Sequence, residues 1–321
     1  MFLIIWIPIF ITTDIIVTRI IRNSKARIIV VWEDIVKSNI NADIIVLGSS
    51  RADCAYNPVI FEKEMGRKCY NLAMYGKTVD MDIARYNLYK QYTQQKPYII
   101  IWDVFHNTFC YSGRWMDEQF TPYVFHKEIW NSICNERHEY CYSDRIIPLL
   151  RYWKRAGIFH YSLHSTFDTC VYNGYCAKSY LWDSHTLAHL SEIDDYSIEC
   201  SYNDTLIKEF NNTLKEMNND CDNILLVFSP LYYDGQAKIK DLNNLVSFFS
   251  QLAEKNNCIF LNYLEHPICK DSSFFHNAEH LNSSGADMFS AILAHDLDSI
   301  LKNNKKTTGI VAGELLTEKK H

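Results

Sequence analysis

Two short segments far apart in the chain carry side chains that together could perform nucleophilic catalysis. They read GSSR (48–51), after an apolar run, and NAEH (277–280), before a helical pattern. A serine hydroxyl becomes an effective nucleophile only when a nearby base removes its proton, and a third group must orient that base. The segments offer Ser50 as nucleophile and His280 as base. Taken singly, each has a simpler explanation, because such serines often cap helices and a lone histidine is usually a capping or surface residue.

The predicted secondary structure places both segments at one edge of a sheet. Five apolar runs predict strands at 42–48, 69–73, 98–104, 223–230 and 257–263, and helical patterns cover 79–95, 203–219, 240–256 and 283–302. Alternating strands and helices predict a three-layer α/β/α fold around a central, mostly parallel five-stranded sheet. Ligands bind such sheets at the carboxyl ends of the strands, where both segments are expected to lie.

The chain resembles the SGNH/GDSL hydrolase superfamily in its motifs and in their order along the chain. The first block of that superfamily, Gly-Asp-Ser, is matched by GSSR (48–51), in a form similar to proteins of bacterial polysaccharide O-acetylation and teichoic acid D-alanylation. The second block is matched by NLAMYG (71–76), and the third, poorly, by WDVFHN (102–107). The last block, Asp-x-x-His, is matched by NAEH (277–280). The resemblance implies a flavodoxin-like SGNH fold.

The resemblance also implies roles for individual residues. Ser50 takes the place of the nucleophile and His280 that of the base. The backbone N–H groups of Ser50 and Gly76 would bind the oxyanion, and Asn107 is a candidate for a third oxyanion donor. Asp103 competes with Asn107 for that place.

Three further residues are candidates for contacts with the substrate or for support of the site: Arg51, Asn71 and Asp103. Arg51 could bind an anionic substrate group or pair with a carboxylate and fix the turn, and we prefer the structural role. No metal or cofactor is expected, because the mechanism needs none and no cluster of ligands suggests one.

One residue departs from the superfamily pattern, because Asn277 stands where the family has Asp. An amide oxygen can accept a hydrogen bond from the imidazole but cannot stabilise the imidazolium. The same change in the serine-protease triad costs about 10⁴ in rate. Three outcomes are open: a Ser50–His280 dyad, recruitment of another carboxylate such as Asp271 or Glu279, or loss of catalysis.

The function implied by the resemblance is that of a serine acyl-ester hydrolase or O-acyltransferase. Its substrates would be acetyl esters on bacterial surface polysaccharide or cell-envelope glycan, and a membrane-bound acyl-transfer partner would favour transfer over hydrolysis. The alternative is a catalytically attenuated or inactive glycan-binding or scaffold protein of an envelope polysaccharide system. A net charge of −6 argues against a nucleic-acid-binding protein.

The N-terminal segment (1–23) predicts a membrane anchor, since it is apolar over about the 20 residues that a spanning helix needs. Asp14 and Arg19 weaken its second half, and an amphipathic or buried core helix is the alternative. Basic residues after this segment would place the domain in the cytoplasm by the positive-inside rule. The envelope function implied by the resemblance instead predicts an extracytoplasmic, periplasmic domain in a bacterium.

The rest of the chain divides into three parts. A connecting helix is predicted at 24–41, the SGNH-like domain at 42–302 and a polar, flexible tail at 303–321. Within the domain, the segment 105–200 is rich in Tyr, Trp, His and Cys and lacks clear strands. We interpret it as an insertion that covers the active face, with a purely stabilising subdomain as the alternative.

Overall fold

The five apolar runs form one fully parallel sheet. In the computed structural model its strands are β1 (Ile44–Leu47), β2 (Cys69–Asn71), β3 (Ile99–Asp103), β4 (Asn223–Phe228) and β5 (Ile259–Asn262), in the order β2-β1-β3-β4-β5. The structure describes residues 2–76, 79–93, 95–110, 117–131, 133, 140–164, 171–183, 198–200, 202–221 and 223–302. The order matches the doubly wound, flavodoxin-like arrangement. The predicted sheet is therefore confirmed.

Thirteen α-helices are seen in the described parts of the chain. Before the insertion they are α1 (Phe2–Arg22), α2 (Arg27–Val36), α3 (Ser50–Ala55), α4 (Pro58–Met65) and α5 (Val79–Tyr92). Within it they are α6 (Lys127–Trp130), α7 (Tyr142–Ile146), α8 (Leu150–Lys154) and α9 (Gly157–His164). After it come α10 (Asp204–Asp220), α11 (Tyr233–Gln236), α12 (Leu242–Lys255) and α13 (Ser283–Lys302). Short 3₁₀ turns span Asp117–Tyr123, Pro267–Lys270 and Ser272–Phe274.

The sheet separates two apolar cores because successive strand residues point to opposite faces. In β1, Ile45 and Leu47 pack with α2, α5, α10 and α12 on one face. Ile44 and Val46 pack with α3, α4 and α13 on the other. All four side chains are fully buried. Helices on both faces give the predicted three layers, and α2, expected only to connect, belongs to the first core.

Helix α1 forms as predicted, but it packs against the domain through polar side chains. Buried Asp14 is paired with Arg151 of α8 and accepts a hydrogen bond from the Leu149 N–H at 2.7 Å. Thr18 lies 2.6 Å from the Tyr152 hydroxyl. Among the described residues no helix is long and apolar enough to cross a membrane. The predicted membrane anchor (1–23), and with it the prediction of a membrane-anchored extracytoplasmic domain, is therefore wrong.

Part of the predicted insertion (105–200) lies against the edge of the sheet that carries the two candidate segments. The Asn71 N–H donates to the Asn173 carbonyl at 2.8 Å, and the Ser283 N–H donates to the Lys178 carbonyl at 2.8 Å. The Asp183 N–H donates to the His276 carbonyl at 2.7 Å. The segment 171–183 is thereby fixed beside the site. The remainder of the insertion is described only in part, and the predicted tail (303–321) lies outside the described residues.

Candidate active site

The turn after β1 presents Ser50. Gly48 has a φ of +140°, and a Cβ there would lie 2.8 Å from the Ala52 Cβ, so only glycine fits. Ser49 is the N-cap of α3, and its hydroxyl accepts from the Arg51 N–H at 3.5 Å. Ser50 is the first residue of the helix. Of the two serines in this turn, Ser49 therefore caps the helix, which leaves the Ser50 hydroxyl for another partner.

That partner is His280. The Ser50 Oγ lies 2.8 Å from the His280 Nε2. The two residues are 230 positions apart in the chain, so the fold brings them together. The loop that carries His280 is fixed by Asn282, whose side-chain amide donates to the Ser273 carbonyl at 2.7 Å and accepts from the Gly285 N–H at 3.0 Å. The structure thus brings the predicted nucleophile and base within direct hydrogen-bond distance.

Asn277 fixes the tautomer of His280. Its Oδ1 accepts from the backbone N–H groups of Glu279 and His280, each at 3.0 Å, and lies 3.0 Å from the His280 Nδ1. Backbone N–H groups can only donate, so the oxygen and not the nitrogen of the amide faces them. Nδ1 must then carry the hydrogen. The lone pair of Nε2 is left free to accept the proton of Ser50.

The surroundings of His280 keep the ring neutral. Burial, followed by His276, Arg51 and Lys178, lowers the pKa of His280 to about 3. The His276 ring stacks on His280 with 5.3 Å between ring centroids. In the described part of the chain no carboxylate hydrogen-bonds to His280. A neutral base is available at neutral pH, but its protonated form lacks a stabilising anion.

Neither carboxylate considered as a substitute for the missing Asp contacts the His280 ring. Asp271 is exposed and caps a 3₁₀ turn by accepting from the Ser273 N–H at 2.9 Å. The Glu279 Oε1 lies 3.9 Å from the His106 Nε2. Burial raises the pKa of Glu279 and lowers the pKa of His106 to about 4. The geometry is that of a dyad oriented by an amide.

Arg51 connects the loops that surround the pair. Its guanidinium donates to the Glu279 carbonyl at 2.9 Å, to the Ser229 carbonyl at 2.8 Å and hydroxyl at 2.9 Å, and to the Pro230 carbonyl at 3.2 Å. The side chain is buried, with 3% exposed. The Asp103 carboxylate lies 3.9 Å from the Arg51 Nε. These contacts support the structural role for Arg51.

Asp103 and Asn71 lie beneath the turn. Asp103 accepts from the Tyr56 hydroxyl at 2.7 Å, and burial raises the pKa of Asp103. The Asn71 amide donates to the Ala52 and Tyr56 carbonyls at 2.9 and 3.0 Å, and its oxygen accepts from the Ala73 N–H at 2.9 Å. Both side chains are buried and engaged within the protein, so the structure places them as supports of α3 and not as substrate contacts.

Gly76 and Asn107, the two remaining candidates for oxyanion donors, lie in different surroundings. Gly76 lies in the turn after β2 with a φ of +71°, a conformation that favours glycine. Asn107 is exposed, and it is His106 of the same turn that is buried next to Glu279. The role of Asn107 as an oxyanion donor stays a prediction. The third sequence block matched poorly, and its position after β3 did not determine which side chain turns inward.

A cavity of about 360 Å³ opens beside His280 and Asn277. Several of its lining side chains were not singled out from the sequence: Arg27, Asp53, Tyr75, Arg85, Tyr161, Lys178 and Tyr180. They come from α2, α3, the turn after β2, α5, α9 and the segment 171–183. Asp53 lies one turn of α3 beyond Ser50, so its place near the site could have been predicted from the sequence. The other residues approach only through the tertiary fold.

Comparisons with known proteins are limited to solved structures, because no protein-family model and no curated protein matches the chain. A family two carbohydrate esterase from Clostridium thermocellum, solved in complex with cellohexaose, aligns with 10% identity and a TM-score of 0.42. The alignment covers 81% of this chain but only 64% of that one. A lipase/acylhydrolase from Enterococcus faecalis aligns with 11% identity and a TM-score of 0.38, over 80% of this chain and 95% of that one.

The fold is defined by the chain's own topology and by the positions of its key residues. The sheet is parallel in the order β2-β1-β3-β4-β5. Ser50 begins the helix after β1, and His280 ends the loop before the last helix, 2.8 Å from Ser50. These are the places that the sequence resemblance assigns to the nucleophile and the base. The chain therefore has a three-layer α/β/α fold around a five-stranded parallel sheet, which is the fold that the sequence resemblance to the SGNH hydrolase superfamily implies.

Proposed function

We propose that the protein is a serine-dependent acyl-ester hydrolase that acts on acylated carbohydrate. The single observation that carries the proposal is the 2.8 Å contact between the Ser50 Oγ and the His280 Nε2, with the tautomer of His280 fixed by Asn277. This geometry meets the requirement for a nucleophile within hydrogen-bond reach of an oriented, unprotonated base. Half-exposed Tyr75 and Tyr180 at the cavity present apolar ring faces and hydroxyls, which suit a sugar ring.

The first half of the reaction acylates Ser50. Its Oγ bonds to the acyl carbon while its proton passes to the His280 Nε2, and the carbonyl electrons move onto the oxygen. The backbone N–H groups of Ser50 and Gly76 are the proposed donors to this oxyanion. The intermediate then collapses, the ester C–O bond breaks, and the departing alcohol takes the proton from His280.

The second half releases the acyl group. Water gives a proton to His280 and attacks the acyl carbon, and the Ser50 oxygen leaves with the proton returned by His280. A sugar hydroxyl in place of water would make the protein an O-acetyltransferase by the same steps. Acetyl esters of bacterial surface polysaccharide or cell-envelope glycan are the substrates that the sequence resemblance implies for either reaction.

A second candidate function is a carbohydrate-binding or scaffold protein that has lost catalysis. It is favoured by the amide of Asn277, which leaves the imidazolium of His280 without an anion. Such a protein would bind acetylated oligosaccharide in titration calorimetry and release no acetate. The hydrolase would release acetate from the same ligand.

The experiment is an esterase assay on four proteins: wild type, Ser50→Ala, His280→Ala and Ser49→Ala. Substrates are 4-nitrophenyl acetate and an acetylated oligosaccharide. We expect the Ser50 and His280 variants to lose about 10³-fold or more in kcat, because nucleophile and base act as one unit. Ser49→Ala is the matched control, since it removes a helix cap worth about 1 kcal/mol but not the nucleophile. Equal activity in wild type and Ser50→Ala would refute the hydrolase.

A further inference from the structure

A second cavity, of about 410 Å³, lies where α1 meets α2 and α8. Its described lining shares no residue with that of the cavity beside His280, and the proposed reaction uses none of it. Four of its lining side chains are cationic and two are carboxylates, so the lining has a formal excess of two positive charges. These side chains belong to α1, α2, the residue that follows α2, and α8: Asp14, Arg19, Arg22, Glu33, Lys37 and Arg151.

Both oxygens of the Glu33 carboxylate are already engaged. Oε1 accepts from the Arg22 Nε at 2.5 Å and from the Tyr123 hydroxyl at 2.9 Å, and Oε2 lies 3.0 Å from the Lys37 Nζ. Burial opposes the charge, but hydrogen bonds from Arg22 and Lys37 lower the pKa of Glu33, so the group is ionised at neutral pH. Glu33 therefore holds its three partners and has no oxygen left for a further cation.

The other carboxylate of the lining is engaged in the same way. The Asp14 Oδ1 pairs with Arg151, and its Oδ2 accepts from the Leu149 N–H at 2.7 Å. The C-terminus of α1 adds only about half a negative charge through its free carbonyls. The anions at this cavity are thus fewer than its cations, and each of them already has its partners.

Three of the cations keep donors that no described residue uses. The Arg19 guanidinium makes no hydrogen bond or ion pair within the described part of the chain. The Lys37 ammonium has three N–H groups and one described partner, Glu33. Arg151 is 3% exposed, and its Nε lacks a hydrogen-bond partner among the described residues. Because buried donors are normally satisfied, the Nε of Arg151 points to a ligand or water in this cavity.

We propose that this cavity binds a phosphomonoester, with Arg19, Lys37 and Arg151 as its donors. A phosphomonoester carries close to two negative charges at neutral pH and three acceptor oxygens, which match the excess charge and the donors from separate helices. Arginine binds such groups through two parallel N–H donors. A carboxylate has one charge and a planar shape, so it fits this lining less well. The inference goes beyond the proposed hydrolase and does not depend on it.

Two apolar side chains in the lining bear on the source of the phosphate. Ile15 and Phe125 are 47% and 58% exposed, and they lie beside the cations. The phosphate group can belong to a soluble phosphate ester or to the head group of a lipid. In the second case Ile15 and Phe125 would contact the acyl chains, and affinity would rise with the apolar area that they bury.

The test is titration calorimetry at fixed ionic strength with three ligands that differ in one feature at a time. Methyl phosphate is dianionic, dimethyl phosphate is monoanionic, and dihexanoyl phosphatidic acid, kept below its micelle concentration, adds acyl chains to the dianion. We expect methyl phosphate to bind about tenfold more tightly than dimethyl phosphate, because it carries the second charge. Tighter binding of the phosphatidic acid than of methyl phosphate would identify a lipid head group, and equal binding a soluble ester.

The cavity is identified by variants whose side chains are exposed, so that folding is not at risk. Arg19→Gln and Lys37→Gln should each weaken methyl phosphate binding by about tenfold, and Arg19→Lys should lose less because it keeps the charge. Lys255→Gln, at the exposed end of α12, is the control for the loss of one positive charge elsewhere. Esterase activity, if present, should be unchanged in all four variants, because none of them touches the Ser50–His280 pair.

Three results would overturn the inference. The first is that none of the three ligands binds to folded wild type. The second is that methyl phosphate and dimethyl phosphate bind equally, since the excess of two charges would then have no effect. The third is that Arg19→Gln and Lys37→Gln bind methyl phosphate as tightly as Lys255→Gln does, which would place the anion elsewhere on the protein.

Discussion

The Asn277 Oδ1 lies 3.0 Å from the His280 Nδ1 and also accepts the backbone N–H of His280 at 3.0 Å. One amide oxygen therefore orients the imidazole and holds the loop that carries it. The arrangement provides the positioning that an aspartate gives in a catalytic triad but not the negative charge. Orientation and charge are therefore separated at this site.

Restoring the charge should increase activity. We predict that Asn277→Asp raises kcat by about 10²-fold or more, since the amide costs about 10⁴ in the serine-protease triad. A carboxylate can accept the same three hydrogen bonds, so the loop should keep its conformation. The measurement is kcat for 4-nitrophenyl acetate, with Asn277→Ala as the control that loses both orientation and charge. An unchanged rate in a folded Asn277→Asp would mean that charge at this position does not limit the reaction.

The pH dependence should report the low basicity of His280. The ring must be unprotonated to act as a base, so activity is present above its pKa, which is about 3, and is lost as the pH falls through that value. We predict that kcat/KM is flat from about pH 5 to pH 8. Asn277→Asp should move the acid limb upward, because a carboxylate favours imidazolium. Circular dichroism over the same range controls for unfolding, and a wild-type limb near the usual pKa of about 6.5 would contradict the prediction.

Arg51 is predicted to position His280 by holding the Glu279 carbonyl. Arg51→Lys keeps the charge but loses the fork of donors that reaches two loops at once. We predict a loss of about tenfold or more in kcat/KM, because small displacements of a catalytic group are expensive. The rate should fall in protein that circular dichroism shows to be folded. A lowered melting temperature with unchanged kcat would assign Arg51 to stability alone.

The turn that presents Ser50 should not tolerate a side chain at position 48. Gly48→Ala would place a side chain at a φ of +140°, and its Cβ would lie 2.8 Å from the Ala52 Cβ. Gly66 is the matched control, since its φ is +65° and nothing lies within 4 Å of an added Cβ. We predict that Gly48→Ala lowers the free energy of unfolding by about 1–3 kcal/mol and also lowers activity, whereas Gly66→Ala costs about 1 kcal/mol and keeps activity. Urea denaturation and the esterase assay measure both effects, and equal losses would contradict the steric account.

The sequence predicted the sheet and the contact between Ser50 and His280 because both depend on local patterns. Apolar runs identify all five strands, and the GSSR (48–51) and NAEH (277–280) segments identify Ser50 and His280. The role of Asn277 in fixing the tautomer depends on three contacts that no residue spacing reveals. A position after a strand does not determine which side chain turns inward, and after β3 it is His106 and not Asn107 that is buried.

The interpretation of α1 could not be reached from the sequence for a related reason. Asp14 and Thr18 interrupt an apolar run, but their partners, Arg151 and Tyr152, are distant in the chain. Without knowledge of these partners, the polar residues only weaken the prediction of a membrane-spanning helix and do not indicate that the helix packs against the domain. The contacts of Arg27 and Lys178 with Asp53 could not be predicted from the sequence either, because these residues come together only in the folded protein.

The central claim is that Ser50 is an activated nucleophile, and its most direct test is covalent labelling by a fluorophosphonate probe. Intact mass is measured for wild type, Ser50→Ala, His280→Ala and Ser49→Ala after folding of each is verified. We expect a single adduct on wild type and Ser49→Ala and none on the other two variants. The absence of an adduct on folded wild type, or an adduct that persists in Ser50→Ala, would contradict it.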